Sequence, residues 1–87
     1  MVYITHVRFG GGGSAPEDII MLRWREAMGD TNVVDMIEWI ESGGIAKVTD
    51  GTHEHQLTVV RETGRAPYLC TVVGEQRTSK IVELPRF

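Results

Sequence analysis

Apolar and polar residues alternate at the start of the chain in a way that predicts a β-strand. The segment Val2 to Phe9 is rich in β-branched and aromatic residues, which are typical of strands. Successive side chains of a strand point to opposite faces, so this segment divides into two sets of four. We expect the more apolar set to face the core: Tyr3, Thr5, Val7 and Phe9.

The next apolar segment, Ile19 to Arg25, fits two patterns. Ser14 and Glu17 have the spacing of a capping box and Pro16 suits a first helical turn, which favours a helix. Strict alternation favours a strand, and periodicity alone leaves both open. In a strand, one face would carry Ile20, Leu22 and Trp24, and the other Met21, Arg23 and Arg25. We favour a strand that pairs with Val2 to Phe9 as a hairpin.

The clearest helix is predicted over Asp30 to Ser42. Its apolar residues follow the i, i+3, i+4, i+7 spacing of a stripe that faces a core. Asp30, Thr31 or Asn32 can supply the N-cap. Gly43 and Gly44 end the helix, because glycine accepts the left-handed conformation of a C-cap. The stripe consists of Val33, Met36, Ile37 and Ile40.

The second half of the chain predicts strands joined by turns. Asp50–Gly51 is a hairpin signal, Gly74 to Ser79 is predicted as a polar loop, and Lys80 to Phe87 as a tail that contains apolar residues. The predicted strands are Ile45 to Thr49, Leu57 to Arg61 and Tyr68 to Val73. The expected fold is α+β in a single domain, residues 1–87. About five strands, in the chain order ββαβββ, form a small antiparallel sheet with one helix on one face.

The order of the motifs resembles a small prokaryotic domain family of unknown function. The motifs are YITHVRF, DIIMLRW after a glycine-rich gap, MIEWIESGG, LTVV, PYLCT and a terminal ELPRF. The resemblance favours the strand over Ile19 to Arg25 and implies no reaction, cofactor or catalytic residue. Family members often carry an Asp-Gly turn near Gly74–Glu75 and Asn-Leu-Leu where this chain has Lys80, Ile81 and Val82.

Composition and charge exclude several classes of protein. Nine basic and twelve acidic residues give a net charge of −3, whereas dedicated nucleic-acid binders usually carry a basic excess. A single cysteine, Cys70, excludes an intramolecular disulfide. The sequence has no apolar run of ~18 residues and no signal-peptide pattern at its start, so we expect a cytoplasmic protein without a membrane partner.

Most of the candidate chemistry is weak on inspection. The glycine run Gly10 to Gly13 matches a degenerate dinucleotide motif, which any glycine tract does by chance. His53 and His55 could share a strand face and form a metal site with His6 or Cys70, but nothing places those two nearby. Cys70 lies in an apolar strand and is expected to be a buried structural thiol. Acidic side chains of the helix are expected to be solvated. We therefore predict no catalytic residue, no cofactor and no metal.

The basic residues of the predicted hairpin are a stronger candidate for a binding site. If the register allows, His6, Arg8, Arg23 and Arg25 lie on one exposed face, where guanidinium groups suit phosphate or carboxylate. Such a surface would bind RNA or an acidic partner. The alternative is that these arginines pair with nearby carboxylates, such as Glu17, Asp18 and Glu26.

The predicted architecture leaves one face of the sheet without a helix. The tail can cover part of it with Ile81, Val82, Leu84 and Phe87, and the remaining apolar side chains, including Val60, Leu69 and Val73, could dimerise or dock on another protein. The leading expectation is a non-enzymatic protein-interaction or regulatory module, with a homodimer as one form. The alternative is a nucleic-acid-binding domain that uses the arginine face. A third hypothesis is a small enzyme or ligand binder built on the glycine loop and His6.

Overall fold

The computed structural model describes residues 1–26, 29–49 and 51–87. The helix α1 spans Val33–Glu41. Short 3-10 turns occupy Pro16–Asp18 and Lys80–Glu83. The strands are β1 (Val2–Phe9), β2 (Ile19–Trp24), β3 (Asp30–Asn32), β4 (Ala46–Thr49), β5 (Glu54–Val60), β6 (Tyr68–Val73) and β7 (Gln76–Thr78).

The described strands form one mixed sheet in the order β3-β2-β1-β4-β5-β6-β7. The α+β class with one helix is confirmed, but the prediction of about five antiparallel strands is wrong, since the sheet has seven strands and β1 pairs with β4 in parallel. The reason lies in the connection through α1. Because β3 is antiparallel to β2 and β2 to β1, β3 runs in the same direction as β1. The helix then carries the chain back across the sheet, and such a crossover delivers a parallel strand.

Both additional strands are short and lie at the edges of the sheet. β3 occupies the predicted start of the helix, which begins at Val33 because the Asn32 side chain caps it and accepts from the Asp35 backbone N–H at 2.8 Å. β7 lies in the predicted polar loop and is joined to β6 by a two-residue turn in which Gly74 has φ 62°. In the predicted Asp50–Gly51 turn, Asp50 lies outside the described residues.

Ile19 to Trp24 form a strand, which confirms the hairpin with β1. The predicted faces are wrong at Ile4 and Ile20, because the pairing has two register shifts, one between Ile4 and His6 and one beside Phe9. The first is a bulge at Thr5, so that Ile4 and Val7 both point to the core. The second turns Ile19 inward and leaves Ile20 at 44% exposure.

The core lies between the sheet and α1. Met36 and Ile37 are buried, while Val33 and Ile40 pack partly buried against the same cluster, as the stripe predicts. The cluster of buried side chains consists of Ile4, Val7, Ile19, Leu22, Met36, Ile37, Ala46, Val48, Leu57, Leu69 and Ile81.

The tail and β6 complete this core instead of leaving an apolar face bare. Ile81 and Leu69 are fully buried in the cluster, and Val60 is buried as well. The expectation that Val60 and Leu69 are open to a partner is therefore wrong, whereas Val73 remains 42% exposed.

A buried hydroxyl ties the tail to the sheet. Thr71 is fully buried, and its Oγ1 accepts from the Thr78 hydroxyl at 2.8 Å and from the Ile81 backbone N–H at 3.3 Å. The His55 ring lies 2.9 Å from the same Thr78 hydroxyl. Buried polar groups of this kind are costly when unpaired, so the network fixes the position of the tail.

Candidate interaction surfaces

The β1–β2 register brings three of the predicted basic residues together. His6 pairs with Arg23 and Arg8 with Met21, so that His6, Arg8 and Arg23 lie on one face of the hairpin. The intervening pair, Val7 and Leu22, points to the core and is fully buried. We call the surface formed by His6, Arg8 and Arg23, together with Arg25 directly after β2, the arginine face.

The aromatic ring of Phe87 occupies the middle of the arginine face. The guanidinium carbons of Arg8 and Arg23 lie 4.6 Å and 4.2 Å from its centroid, and the His6 ring meets it edge-on at 6.5 Å. Two backbone hydrogen bonds hold the tail against β1. The Val7 N–H donates to the Pro85 carbonyl, and the Phe87 N–H donates to the Val7 carbonyl. Arg8 also donates to the Phe87 carbonyl at 2.9 Å. Two cation–π contacts therefore engage the arginine side chains within the chain itself.

Carboxylates engage the rest of the arginine face. Arg23 donates to both Asp30 oxygens, at 2.8 Å and 3.3 Å, and this hydrogen bonding holds the pKa of Asp30 below its ordinary value. Arg25 stacks on the Tyr3 ring at 4.4 Å and pairs with Glu26 at 3.3 Å. Of the three carboxylates predicted to pair with these arginines, Glu26 thus pairs with Arg25. Asp30 lies outside that predicted set, because it becomes a neighbour of Arg23 only through the β2–β3 pairing.

The partners of the other two predicted carboxylates lie elsewhere. Glu17 lies 3.7 Å from Arg65, and Asp18 accepts a hydrogen bond from the Ala15 backbone N–H at 3.1 Å. Neither contact involves the arginine face.

A second surface, which the sequence did not predict, is a groove beside α1. It has a volume of about 430 Å³ and lies between the helix, the start of β2 and the segment that leads into β6. Its most exposed large apolar side chains are Ile20 and Val34, at 44% and 61% exposure. We call it the helix groove; its lining residues are Glu17, Ile19, Ile20, Val33, Val34, Ile37, Glu38, Glu41, Arg61, Ala66, Pro67 and Tyr68.

The charged residues that line the helix groove are mostly acidic. Three glutamates and one arginine line it. Arg61 binds Glu41 through two nitrogens, at 2.8 Å and 2.5 Å, which lowers the pKa of the Glu41 carboxyl. Among the residues that the structure describes, the Glu38 carboxylate has no ion-pair partner. The groove therefore combines exposed apolar surface with excess negative charge.

The sequence did contain a sign of this groove. The pairs Ile19–Ile20 and Val33–Val34 each place two large apolar residues in succession, one more than a single buried face needs. In each pair the first residue is the less exposed one, and the second adds exposed apolar surface to the groove that both residues line.

The remaining candidate residues are dispersed. His55 is buried in β5, whereas His53 precedes that strand and is exposed. Within the described ranges, no group of three or more possible metal ligands is found. Cys70 is buried, and this burial raises the pKa of its thiol. After the loop Gly10 to Gly13 comes a 3-10 turn and then β2, so no α-helix starts there as a dinucleotide motif requires.

Comparison with known proteins gives no further guide to the function. No family model, no curated protein and no solved structure matches the chain. The resemblance to a prokaryotic domain family thus gains no support and stays a prediction. None of the described helices has the length and apolar character that crossing a bilayer requires.

Proposed function

We propose that this protein is a non-enzymatic protein-interaction module, and that its helix groove binds a basic, amphipathic segment of a partner protein. The observation that carries the proposal is the joint exposure of Ile20 and Val34 in the lining of one groove. Apolar side chains that anchor a partner in the centre of a desolvated site supply most of the binding energy of an interface. A groove of this kind suits the apolar face of a helix or strand.

The charge of the groove selects the type of partner. Of the three glutamates that line the groove, Glu17 pairs with Arg65 and Glu41 with Arg61, which leaves Glu38 as the excess negative charge. The whole chain carries a net charge of −3. Complementary charge speeds association and excludes wrong partners. A second copy of this chain is a weaker candidate, because two helix grooves carry the same charge and the arginine face is already engaged within the chain. The partner is therefore expected to carry lysine or arginine beside its apolar anchors.

The nucleic-acid alternative has less support. An oligonucleotide on the arginine face would have to compete with Asp30 for Arg23 and with Glu26 for Arg25. The two guanidinium groups that stack on Phe87 would also have to turn from the ring toward phosphate. If this function is correct, a labelled single-stranded RNA binds with strong salt dependence and loses affinity in the Arg23→Ala, Arg25→Ala double variant.

A synthetic peptide with leucines on one helical face and lysines on the other tests the groove. The affinity of the peptide is measured by fluorescence anisotropy for the native chain and for Ile20→Asp, which places a charge in the lining of the groove. We expect Ile20→Asp to weaken binding at least about tenfold, the effect of losing an anchor residue.

The matched control is Val73→Asp. Val73 has nearly the same exposure as Ile20, 42% against 44%, and lies outside the lining of the groove. This variant should bind within about twofold of the native chain, as rim and remote positions do. Equal losses in the two variants, equal binding of a glutamate version of the peptide, or no binding of the lysine peptide would contradict the proposal.

A further inference from the structure

A second cavity lies on the other side of α1, with a volume of about 440 Å³. It is independent of the helix groove, and none of its lining residues belongs to that groove. Its most prominent feature is that both tryptophans of the chain line it. The complete lining is Val2, Trp24, Thr31, Asp35, Met36 and Trp39.

Each indole ring packs against a glycine, and Trp24 also makes a side-chain hydrogen bond. Trp24 donates from Nε1 to the Thr31 hydroxyl at 2.9 Å and packs so closely on Gly29 that a Cβ there would lie 2.2 Å from the ring. Trp39 packs in the same way on Gly44, where a Cβ would lie 2.3 Å from the ring. A side chain at either glycine would displace the ring beside it, so glycine at both positions lets the two indoles line the cavity.

Asp35 gives the cavity its charge. It is the one charged side chain among the described residues that line the cavity. It precedes Trp39 by one helical turn, so the carboxylate and the indole are neighbours on the helix surface. Its backbone N–H is bound by Asn32, and one carboxylate oxygen accepts from the Asn32 amide at 3.1 Å.

Aromatic faces and a carboxylate both attract a cation, and the rest of the lining decides which kind. A cation over the face of an indole is stabilised by the ring quadrupole. A primary ammonium is strongly hydrated and needs acceptors to replace its water. Val2 and Met36 offer none, and the Thr31 hydroxyl already accepts from Trp24 Nε1. A methylated ammonium requires few hydrogen bonds and presents apolar methyl groups. From the paired tryptophans and Asp35 we infer that this cavity binds a methylated ammonium group.

Titration with choline and with its neutral isostere 3,3-dimethylbutan-1-ol tests the inference. Choline should change the tryptophan fluorescence in a saturable way, and the neutral alcohol should bind at least about tenfold more weakly, because it has no charge for the rings and Asp35. Equal binding of the two compounds, or no saturable change with millimolar choline, would overturn the inference.

Two variants of the helix separate this site from a general charge effect. Asp35→Asn should weaken choline binding several-fold and leave its N-terminal cap intact, since the cap uses the Asp35 backbone. Glu38→Gln removes the same charge from the same helix but lines the helix groove, and should leave the choline affinity unchanged. If Glu38→Gln weakens binding as much as Asp35→Asn, the attraction is not local and the inference fails.

A methylated ammonium can belong to a free small molecule or to a modified lysine. A short peptide carrying trimethyl-lysine and its unmodified counterpart distinguish these sources. Preference for the trimethylated peptide over both the unmodified peptide and choline would assign the site to a modified protein. Preference for choline would assign it to a free amine. Failure of every methylated ligand would refute the site and would leave the helix groove unaffected, because the two cavities are lined by different residues.

Discussion

The two faces of the β1–β2 hairpin differ sharply at a single point of the sheet. On the helix side, Val7 and Leu22 are paired and fully buried. On the other side, the neighbouring pair His6 and Arg23 surrounds the Phe87 ring, and the Arg23 side chain is 35% exposed. Burial of apolar surface stabilises the first face, while exposed ion pairs and stacking contribute little to the second.

The comparison also changes which surface is available to a partner. The arginine face is the most conspicuous feature of the sequence, yet its guanidinium groups are stacked on aromatic rings or paired with carboxylates. The helix groove carries no conspicuous motif, yet it exposes Ile20 and Val34. Exposed charge is thus a poor guide to binding when the fold supplies its own counterions, whereas exposed apolar side chains gathered in one groove have no such partner.

The largest expected effect concerns the buried pair. Leu22→Ala should lower the free energy of unfolding by about 3 kcal/mol, through lost burial and the cavity left behind. Arg23→Ala, one residue away on the opposite face, should have a clearly smaller effect. Urea denaturation of both variants measures the difference. Comparable losses would mean that the two faces do not differ as described.

The buried hydroxyl of Thr71 comes next. Thr71→Val keeps the shape but leaves the Thr78 hydroxyl and the Ile81 backbone N–H without their acceptor. We expect a loss of about 2 kcal/mol in the free energy of unfolding. Thr58→Val, a partly buried threonine on β5, is the control and should be nearly neutral. A neutral Thr71→Val would show that the tail does not depend on this network.

The ring on the arginine face should matter less. Phe87→Ala removes the surface on which Arg8 and Arg23 stack, and should cost about 1 kcal/mol. Phe87→Leu keeps apolar bulk without an aromatic face, so it separates stacking from packing. Thermal unfolding of the two variants gives the answer, and full stability of Phe87→Ala would refute a role for the stacked ring.

The smallest effect is a pH dependence at the edge of the sheet. The hydrogen bonds from Arg23 lower the pKa of Asp30, so its contribution is complete above the ordinary carboxyl pKa of 3.8. It is lost as the pH falls through the lower folded-state pKa. The midpoint of urea denaturation falls as the pH is lowered, and Asp30→Asn and Arg23→Gln should each make this fall less steep. In the double variant the fall should be no less steep than in either single variant. Independent effects of the two changes would contradict the pairing.

Local patterns in the sequence predicted part of this fold. The stripe of α1 and the strand over Ile19 to Trp24 depend on neighbours a few residues away, so they are visible in the chain, and both were confirmed. The bulge at Thr5 was not visible, because it depends on the register between β1 and β2. β3 and β7, with three residues each, are held by pairing with longer strands. Each contains only one β-branched residue, and a segment this short has too little pattern to predict a strand.

The sites were predictable to a similar extent. That His6, Arg8 and Arg23 lie on one face followed from alternation once the hairpin was assumed. Their partners Asp30 and Phe87 come from β3 and from the far end of the chain, which only the folded topology brings close. The helix groove could not be predicted for the same reason, because β2, α1 and the segment before β6 form it together and are far apart in the sequence.

The most direct test of the central claim is to map the peptide-binding surface by two-dimensional NMR. Amide resonances of the uniformly labelled chain are followed as the leucine–lysine peptide is added. We predict that shift changes concentrate at Ile20, Val34, Glu38 and Tyr68, and that Arg8 and Arg23 stay unchanged. Changes concentrated on the arginine face, with the helix groove unaffected, would contradict the account.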